Sequence, residues 1–351
     1  MTVIEPHRSL KAVSQKLSAG SEFVPDISHE LRTPLTAIQG ALELLQSGQL
    51  GTLSEKERRM VEIAASNTER LLRLAVAIEQ TTQPSLDVLS ATQIAQLRLE
   101  NDLRSALMHQ QFQLAYQPII ELTGGDVVGF EALLRWHHPY LGVIPPLQFI
   151  PLAEANGLII SIGAWVIEQA CRQLRDWQIQ FASVFDDISV SVNLSSQQLA
   201  DPKLASQIEQ TLQRANLAPP CLRLEITESA IIQNSGTAYT ILEQLRSLGI
   251  RIYVDDFGTG YSSLARLHEL PLDALKIDRS FIQQIHDPKG ICLVRAVIAL
   301  AHNLGLDVIA EGIETADQID QLQACGCFHG QGYAFARPLS AAAAALTVYR
   351  A

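Results

Sequence analysis

From residue 112 onward the chain alternates short apolar runs with amphipathic stretches, and this constrains its fold more than any other feature. Strand-like runs fall at 112–120, 126–134, 188–193, 222–226, 250–255, 274–277, 306–310 and about 326–331. Helical stretches lie between most of them, at about 161–178, 203–215, 236–248, 262–268, 289–304 and 315–324. Thr123-Gly124-Gly125-Asp126 joins the first two runs as a hairpin turn, so that pair is antiparallel. The remaining runs alternate as βα units. Eight strands in about 250 residues predict an α/β fold of the (β/α)8 TIM-type barrel class, with an antiparallel first strand pair. A doubly wound open sheet is the alternative arrangement.

In such barrels chemistry collects at the C-terminal ends of the strands. Polar residues recur there. Glu131 lies in the second run, Asn193 ends the third, and Glu225 ends the fourth with Glu228 just beyond. Asp255 and Asp256 end the fifth, Lys276 and Asp278 the sixth, Glu311 the seventh, and Gln331 stands at the eighth. A single acid at a strand end is ordinarily a cap for the next helix; a series of them implies a common centre. Two adjacent acids closing the buried run Ile250–Val254 are costly unless positive charge sits between them. One carboxylate can bridge two divalent ions while its neighbour ligates one. Taken alone, Asp255-Asp256-Phe257-Gly258 also reads as a turn in which Asp accepts local backbone hydrogen bonds. Carboxylates and amides with one lysine suit Mg²⁺, Mn²⁺ or Ca²⁺ and disfavour zinc. Two such ions are a standard device for phosphodiester hydrolysis.

Other candidates carry less. Gly258-Thr259-Gly260 lacks the third glycine of a dinucleotide fingerprint, and carboxylates precede it. His137 and His138 would point to opposite faces of a strand, so they read as loop residues rather than a ligand pair.

The first eighty residues are different in kind. Ile27, Leu31, Leu35, Ile38, Leu42 and Leu45 recur at steps of three and four, a narrow helical stripe. Gly48 and Gly51 break it, and Ser54-Glu55-Lys56-Glu57 opens a second helix as a capping box. Two helices this narrow make no core alone, whereas a hairpin dimerising into a four-helix bundle buries both stripes. Pro84 breaks the polar stretch Gln80–Ser85, which sets the expected boundaries: a hairpin over 1–82, a linker over 83–95 and a barrel over 96–351.

Composition narrows the class. A formal net charge of −11 disfavours a protein that grips nucleic-acid polymers, though not one small anionic ligand beside bound metals. No apolar run reaches the length of a membrane span, and the first residues lack a signal core. Cys171, Cys221, Cys292, Cys325 and Cys327 form no Cys-x-x-Cys pair or disulfide ladder, which fits a reducing cytoplasm.

Two families resemble parts of this chain. Ser28-His29-Glu30-Leu31-Arg32-Thr33-Pro34-Leu35, followed by a helical hairpin, resembles the dimerisation and phosphoacceptor domain of sensor histidine kinases over about residues 15–82. That resemblance implies a homodimer, with His29 as phosphoacceptor and Glu30 assisting proton transfer. None of the family's ATP-binding boxes follows, so phosphate would come through a partner histidine kinase or response regulator. The other reading keeps the segment for dimerisation only.

Glu131-Ala132-Leu133 with Arg135, Asn193, Glu225-Ile226-Thr227-Glu228, Asp255-Asp256-Phe257-Gly258, Lys276-Ile277-Asp278, Glu311-Gly312-Ile313-Glu314 and Gln331-Gly332-Tyr333 together resemble an EAL domain, over about residues 96–345. This resemblance implies a bacterial phosphodiesterase that hydrolyses cyclic di-GMP to linear pGpG with two Mg²⁺ or Mn²⁺ ions. Glu131, Asn193, Glu225 and Asp255 resemble ligands of one ion. Asp255, Asp256 and Glu311 resemble those of the other. Lys276 and Glu311 then take catalytic positions, with Lys276 holding the attacking water. Gln117, Leu133, Arg135 and Gln331 correspond to residues around the substrate. Glu228 and Glu314 correspond to supporting acids behind the loop after Asp256, which the family ties to dimerisation. A non-hydrolytic cyclic di-GMP receptor is the alternative function. Leu147 stands where the family usually has a polar residue, and no cyclase signature is found.

Overall fold

The computed structural model describes residues 91–181, 184–185, 187–233, 235–258 and 270–350, together with positions 35, 38, 41, 42, 45, 61, 64 and 68. The chain divides into two compact units, residues 1–95 and 96–351. In the first, Leu35, Ile38, Ala41, Leu42 and Leu45, and then Val61, Ala64 and Thr68, are helical. They fall in the two stretches whose periodicity predicts helices. His29 and Glu30 lie outside the described residues.

Among the described residues, nine strands build the second unit: β1 (Phe112–Glu121), β2 (Val127–His138), β3 (Gly142–Ile144), β4 (Ser189–Leu194), β5 (Leu222–Thr227), β6 (Arg251–Phe257), β7 (Ala274–Ile277), β8 (Asp307–Ala310) and β9 (His329–Gly330). Their order is β1-β9-β8-β7-β6-β5-β4-β2-β3, and a further β1–β2 pairing closes eight of them into a barrel. β1 runs antiparallel to both its neighbours, whereas from β2 round to β9 every junction is parallel. The barrel class and the antiparallel first pair are therefore as expected, and the open sheet is not formed. The turn after β1 reverses the chain because Gly125 takes φ 84°, while the Glu121 carboxylate accepts from the amide of Thr123.

Helices Leu158–Gln180, Leu204–Ala215, Ser235–Ser247, Pro288–Asn303 and Ala316–Ala324 include the connections between parallel strands. The outward strand residues Val190, Val192, Leu222, Leu224, Ile252, Leu275 and Val308 share one buried cluster with Ile162, Leu242, Ile298 and Leu322 from those helices. Strand β3 and helix Pro146–Ala155 have no counterpart in the sequence pattern. β3 is three residues long on the edge of β2, and the helix carries Pro151 in its interior, which argues against a helix locally. Packing of Phe149, Leu152 and Ala153 outweighs that local signal. The eighth run contracts to His329–Gly330, and the helix expected at 262–268 lies outside the described residues.

Successive side chains on a strand alternate between the barrel interior and the helical shell. The interior is consequently layered. Ile119, Tyr253, Ala274 and Ile309 form a separate buried apolar cluster. Two residues further along the parallel strands, Asp255, Lys276 and Glu311 follow Tyr253, Ala274 and Ile309. On β1, which runs the other way, the order inverts and polar Gln117 precedes Ile119. An apolar cluster on these strands thus lies beneath the polar layer, while Ser191 and Arg223 hold the same level on β4 and β5.

Candidate metal centre and active site

Lys276 is the centre of the polar layer. It has no solvent exposure, and its Nζ lies 2.6 Å from Glu225 Oε2, 2.6 Å from Glu311 Oε1 and 3.4 Å from both Glu131 Oε2 and Asp255 Oδ1. Asn193 Nδ2 donates to Glu131 Oε1 at 2.8 Å, and Gln331 Nε2 donates to Glu131 Oε2 at 2.7 Å and Glu311 Oε1 at 2.9 Å. Side chains on or just after seven strands therefore converge from positions far apart in sequence.

Four carboxylates face one ammonium, a formal −3 when all are ionised. The proton equilibria record that excess. Burial would lower the Lys276 ammonium, but Asp255, Glu131, Glu225 and Glu311 hold it well above its ordinary value. Burial, with Glu131 and Asp255 nearby, pushes Glu225 well above the usual carboxylate range against the pull of Lys276. Burial, then Asp255 and Glu131, push Glu311 up to about 8. Glu131 goes the other way: burial opposes its charge, yet Lys276, Gln331 and Asn193 hold it below the usual range.

Asp255 and Asp256 reach a common point by an irregularity. On a regular strand they would face opposite sides. The β6–β7 register shifts between Val254 and Phe257, and Asp256 takes φ 53°, a left-handed conformation that aspartate tolerates better than most residues. Carboxylate oxygens of Asp255, Asp256 and Glu311 then lie within 4.8 Å of one another. Burial, Asp255 and Asp278 raise the Asp256 carboxyl. Glu225 Oε1 and Gln331 Oε1 are buried with no hydrogen-bond partner. Converging oxygens, orphaned acceptors and surplus negative charge all fit divalent, oxygen-liganded metal.

Two depressions open beside this cluster. A cavity of about 210 Å³ is lined by Glu131, Asp255, Glu311 and Gln331, together with Gln117 and Glu314. Gln117 is paired in register with Glu131 and donates from Nε2 to the carbonyl of Ala336. A groove of about 710 Å³ is lined by Arg135, Leu147, Asn193 and Asp256 among others. Leu133 lines both. Arg135 is half-buried, and it donates to the carbonyl of Leu134. Glu228 is buried at the start of helix Glu228–Gln233. Leu147 is 90% exposed on the groove wall.

Some expectations need correcting. His137 and His138 end strand β2 instead of occupying a loop. His138 is buried: its Nε2 bonds Asp102 Oδ2 at 3.1 Å, and its Nδ1 accepts from the amides of Tyr140 and Leu141. Backbone closure of the β2–β3 turn and the bond to helix Ala91–Ala106 hold that strand end. Asp278 caps helix Arg279–Gln283 by accepting from the amide of Ser280, the ordinary role of a strand-end acid. Residues 259–269 of the loop after Asp256 lie outside the described residues. Tyr333, which closes the Gln331-Gly332-Tyr333 motif, lines the small cavity, and so does Arg279, which was not singled out by the sequence. Arg279 sits just past the Lys276-Ile277-Asp278 motif, beyond the reach of strand periodicity.

Fold and site define a (β/α)8 barrel with an acidic, metal-competent centre. The chain belongs to the EAL domain family, whose model matches residues 100–338. Residues 19–79 match the model of the His Kinase A (phospho-acceptor) domain. MucR of Pseudomonas aeruginosa, a bifunctional diguanylate cyclase/cyclic di-GMP phosphodiesterase, is 45% identical over 247 residues, covering 70% of this chain and 36% of MucR. The cyclic di-GMP phosphodiesterase PdeR of Escherichia coli is 42% identical over 248 residues, 70% of this chain and 37% of PdeR. The chain thus matches about a third of the length of these relatives. The solved PaMucR phosphodiesterase in complex with c-di-GMP superposes with a TM-score of 0.67 at 44% identity, over 70% of this chain and 99% of that one. No helix among the described residues is long and apolar enough to cross a membrane.

Proposed function

We propose that this chain hydrolyses one 3′–5′ phosphodiester bond of cyclic di-GMP to give linear pGpG, using two Mg²⁺ or Mn²⁺ ions. The observation that carries the reading is the convergence of four carboxylates on buried Lys276, with Asp255, Asp256 and Glu311 clustered beside it. Glu131, Asn193, Glu225 and Asp255 would hold one ion, and Asp255, Asp256 and Glu311 the other. Bound divalent ions supply activation of water and neutralisation of phosphate charge. The chain's own groups supply the rest. In the metal-free fold the surrounding carboxylates hold the Lys276 ammonium well above its ordinary value, and its role is to orient an oxygen by donating to it. Gln331, fixed on Glu131 and Glu311, keeps its free Oε1 beside the same point. Leu133 and the apolar wall of the groove cover the bases, and Arg135 offers its guanidinium to phosphate. Water adds to phosphorus as the 3′ oxygen leaves with a proton.

The N-terminal segment, with boundaries at 82 and 96, is read as a dimerisation hairpin that regulates the barrel. Phosphotransfer to His29, with Glu30 assisting, is tested with a partner kinase and labelled ATP; label persisting in His29→Ala rules that residue out as acceptor. The main test incubates the chain with cyclic di-GMP and Mn²⁺ and resolves products by chromatography. Formation of pGpG, absent in Glu131→Ala, is expected. Tight binding with no pGpG makes the domain a receptor instead.

A further inference from the structure

We infer that Arg279 is a substrate-contacting residue that grips the scissile phosphodiester from the β7–β8 wall of the small cavity; this rests on the phosphodiesterase reading above. Among the described residues lining that cavity, Arg279 is the one cation, set among Glu131, Asp255, Glu311 and Glu314. Its side chain is exposed to the cavity and solvent, and its guanidinium makes no hydrogen bond or ion pair with any of those acids. A guanidinium left unpaired beside four carboxylates is free to take a bidentate contact, and phosphate oxygens match its geometry.

The position of Arg279 is built in. It opens helix Arg279–Gln283, three residues after Lys276. Gly312, next to Glu311, takes φ 69°, and a Cβ there would collide with Arg279 Cβ. The turn carrying Glu311 therefore closes directly onto the arginine. Gln318 reinforces this junction, donating to the carbonyl of Ile282 at 3.2 Å and accepting from the amides of Glu314 and Thr315. Arginine and metal-competent acid are thereby locked as one wall.

Size says what Arg279 meets there. The cavity holds about 210 Å³, below the ~300 Å³ at which pockets begin to enclose drug-sized ligands. The neighbouring groove, at about 710 Å³, is within that range. Nucleosides fit the groove, whereas the cavity admits a phosphate and the attacking water. Arg279 thus meets the charge that develops on the scissile phosphate, opposite Arg135 on the groove side. A positioned cation at such a point acts mainly on turnover.

The test measures hydrolysis of cyclic di-GMP and of bis(p-nitrophenyl) phosphate, a diester without nucleosides, in Mn²⁺. The full chain is compared with Arg279→Gln and Arg279→Lys, and Mn²⁺ affinity is titrated alongside. Glutamine keeps the carbons that pack on Gly312 and removes the charge. Arg279→Gln is expected to lose about a hundredfold in kcat on both diesters, with Mn²⁺ affinity unchanged. Arg279→Lys recovers part of it, and added guanidinium ion partly rescues Arg279→Gln. Unchanged turnover overturns the assignment. So does a loss confined to cyclic di-GMP, which would place Arg279 on a nucleoside, or a matching fall in Mn²⁺ affinity, which would make its role structural. A wild-type chain that cleaves neither diester overturns the parent reading and this one together; an active wild type with an indifferent Arg279→Gln overturns this one alone.

Discussion

Two layers of the barrel interior stand two residues apart on the same strands and have opposite energetics. Ile119, Tyr253, Ala274 and Ile309 form a buried apolar cluster, with the Arg223 guanidinium over the Tyr253 ring. Asp255, Lys276 and Glu311, one alternation further along, form with Glu131 and Glu225 a layer that is incomplete, with surplus charge and orphaned acceptors. The first layer stabilises the barrel. The second draws on that stability to hold like charges together for a ligand that supplies the missing positive charge. Each layer should therefore fail in its own way when cut.

The largest effect is expected from Lys276→Met. It removes the one internal cation from the polar layer, so activity should be abolished. Metal-free stability should fall by about 3–5 kcal/mol, the cost of stripping a buried charge of its partner, read by urea unfolding in EDTA.

The same layer sets a pH dependence. The Glu311 carboxyl is raised from 4.5 to about 8 in the fold, so its proton is bound more tightly folded than unfolded. In metal-free protein its contribution is fully present below 4.5 and lost as pH climbs through about 8. Glu225 and Asp256 shift in the same direction and Glu131 in the opposite one. Stability in EDTA should fall across that window, by up to about 1.4 kcal/mol per pH unit for one proton. Mn²⁺ should flatten the decline; an unchanged slope would contradict the metal account.

Ile309→Ala cuts the apolar layer instead. A cost of about 2–5 kcal/mol is expected from lost burial and the cavity left behind, with kcat of the folded fraction nearly unchanged. Loss of activity matching loss of the polar centre would erase the distinction between the layers. The smallest effect belongs to Asp256→Gly. Relieving a left-handed aspartate should raise stability by about 1 kcal/mol while weakening metal binding, seen as opposite shifts in apo Tm and Mn²⁺ affinity.

Much of this was legible in the sequence. Alternation placed the strands, and the polar residues at their ends marked Glu131, Asn193, Glu225, Lys276, Glu311 and Gln331 as one centre. What was not legible is where local rules give way. Asp255 and Asp256 converge only through a register shift and a positive φ, which no periodicity encodes. Helix Pro146–Ala155 forms against its interior proline through packing alone. Asp278 looks like a further site acid but caps a helix. Arg279 comes to the centre through the close approach of Gly312, a contact made across chain segments.

The most direct test of the incomplete layer is metal stoichiometry. The EDTA-stripped chain is titrated with Mn²⁺ by calorimetry, with Asp255→Asn alongside. Two ions per chain are predicted in the wild type, with loss of the pair in Asp255→Asn, whose carboxylate is proposed to ligate both. A wild type that binds no Mn²⁺, or an Asp255→Asn variant that binds it equally well, would contradict the claim that these acids are gathered for metal.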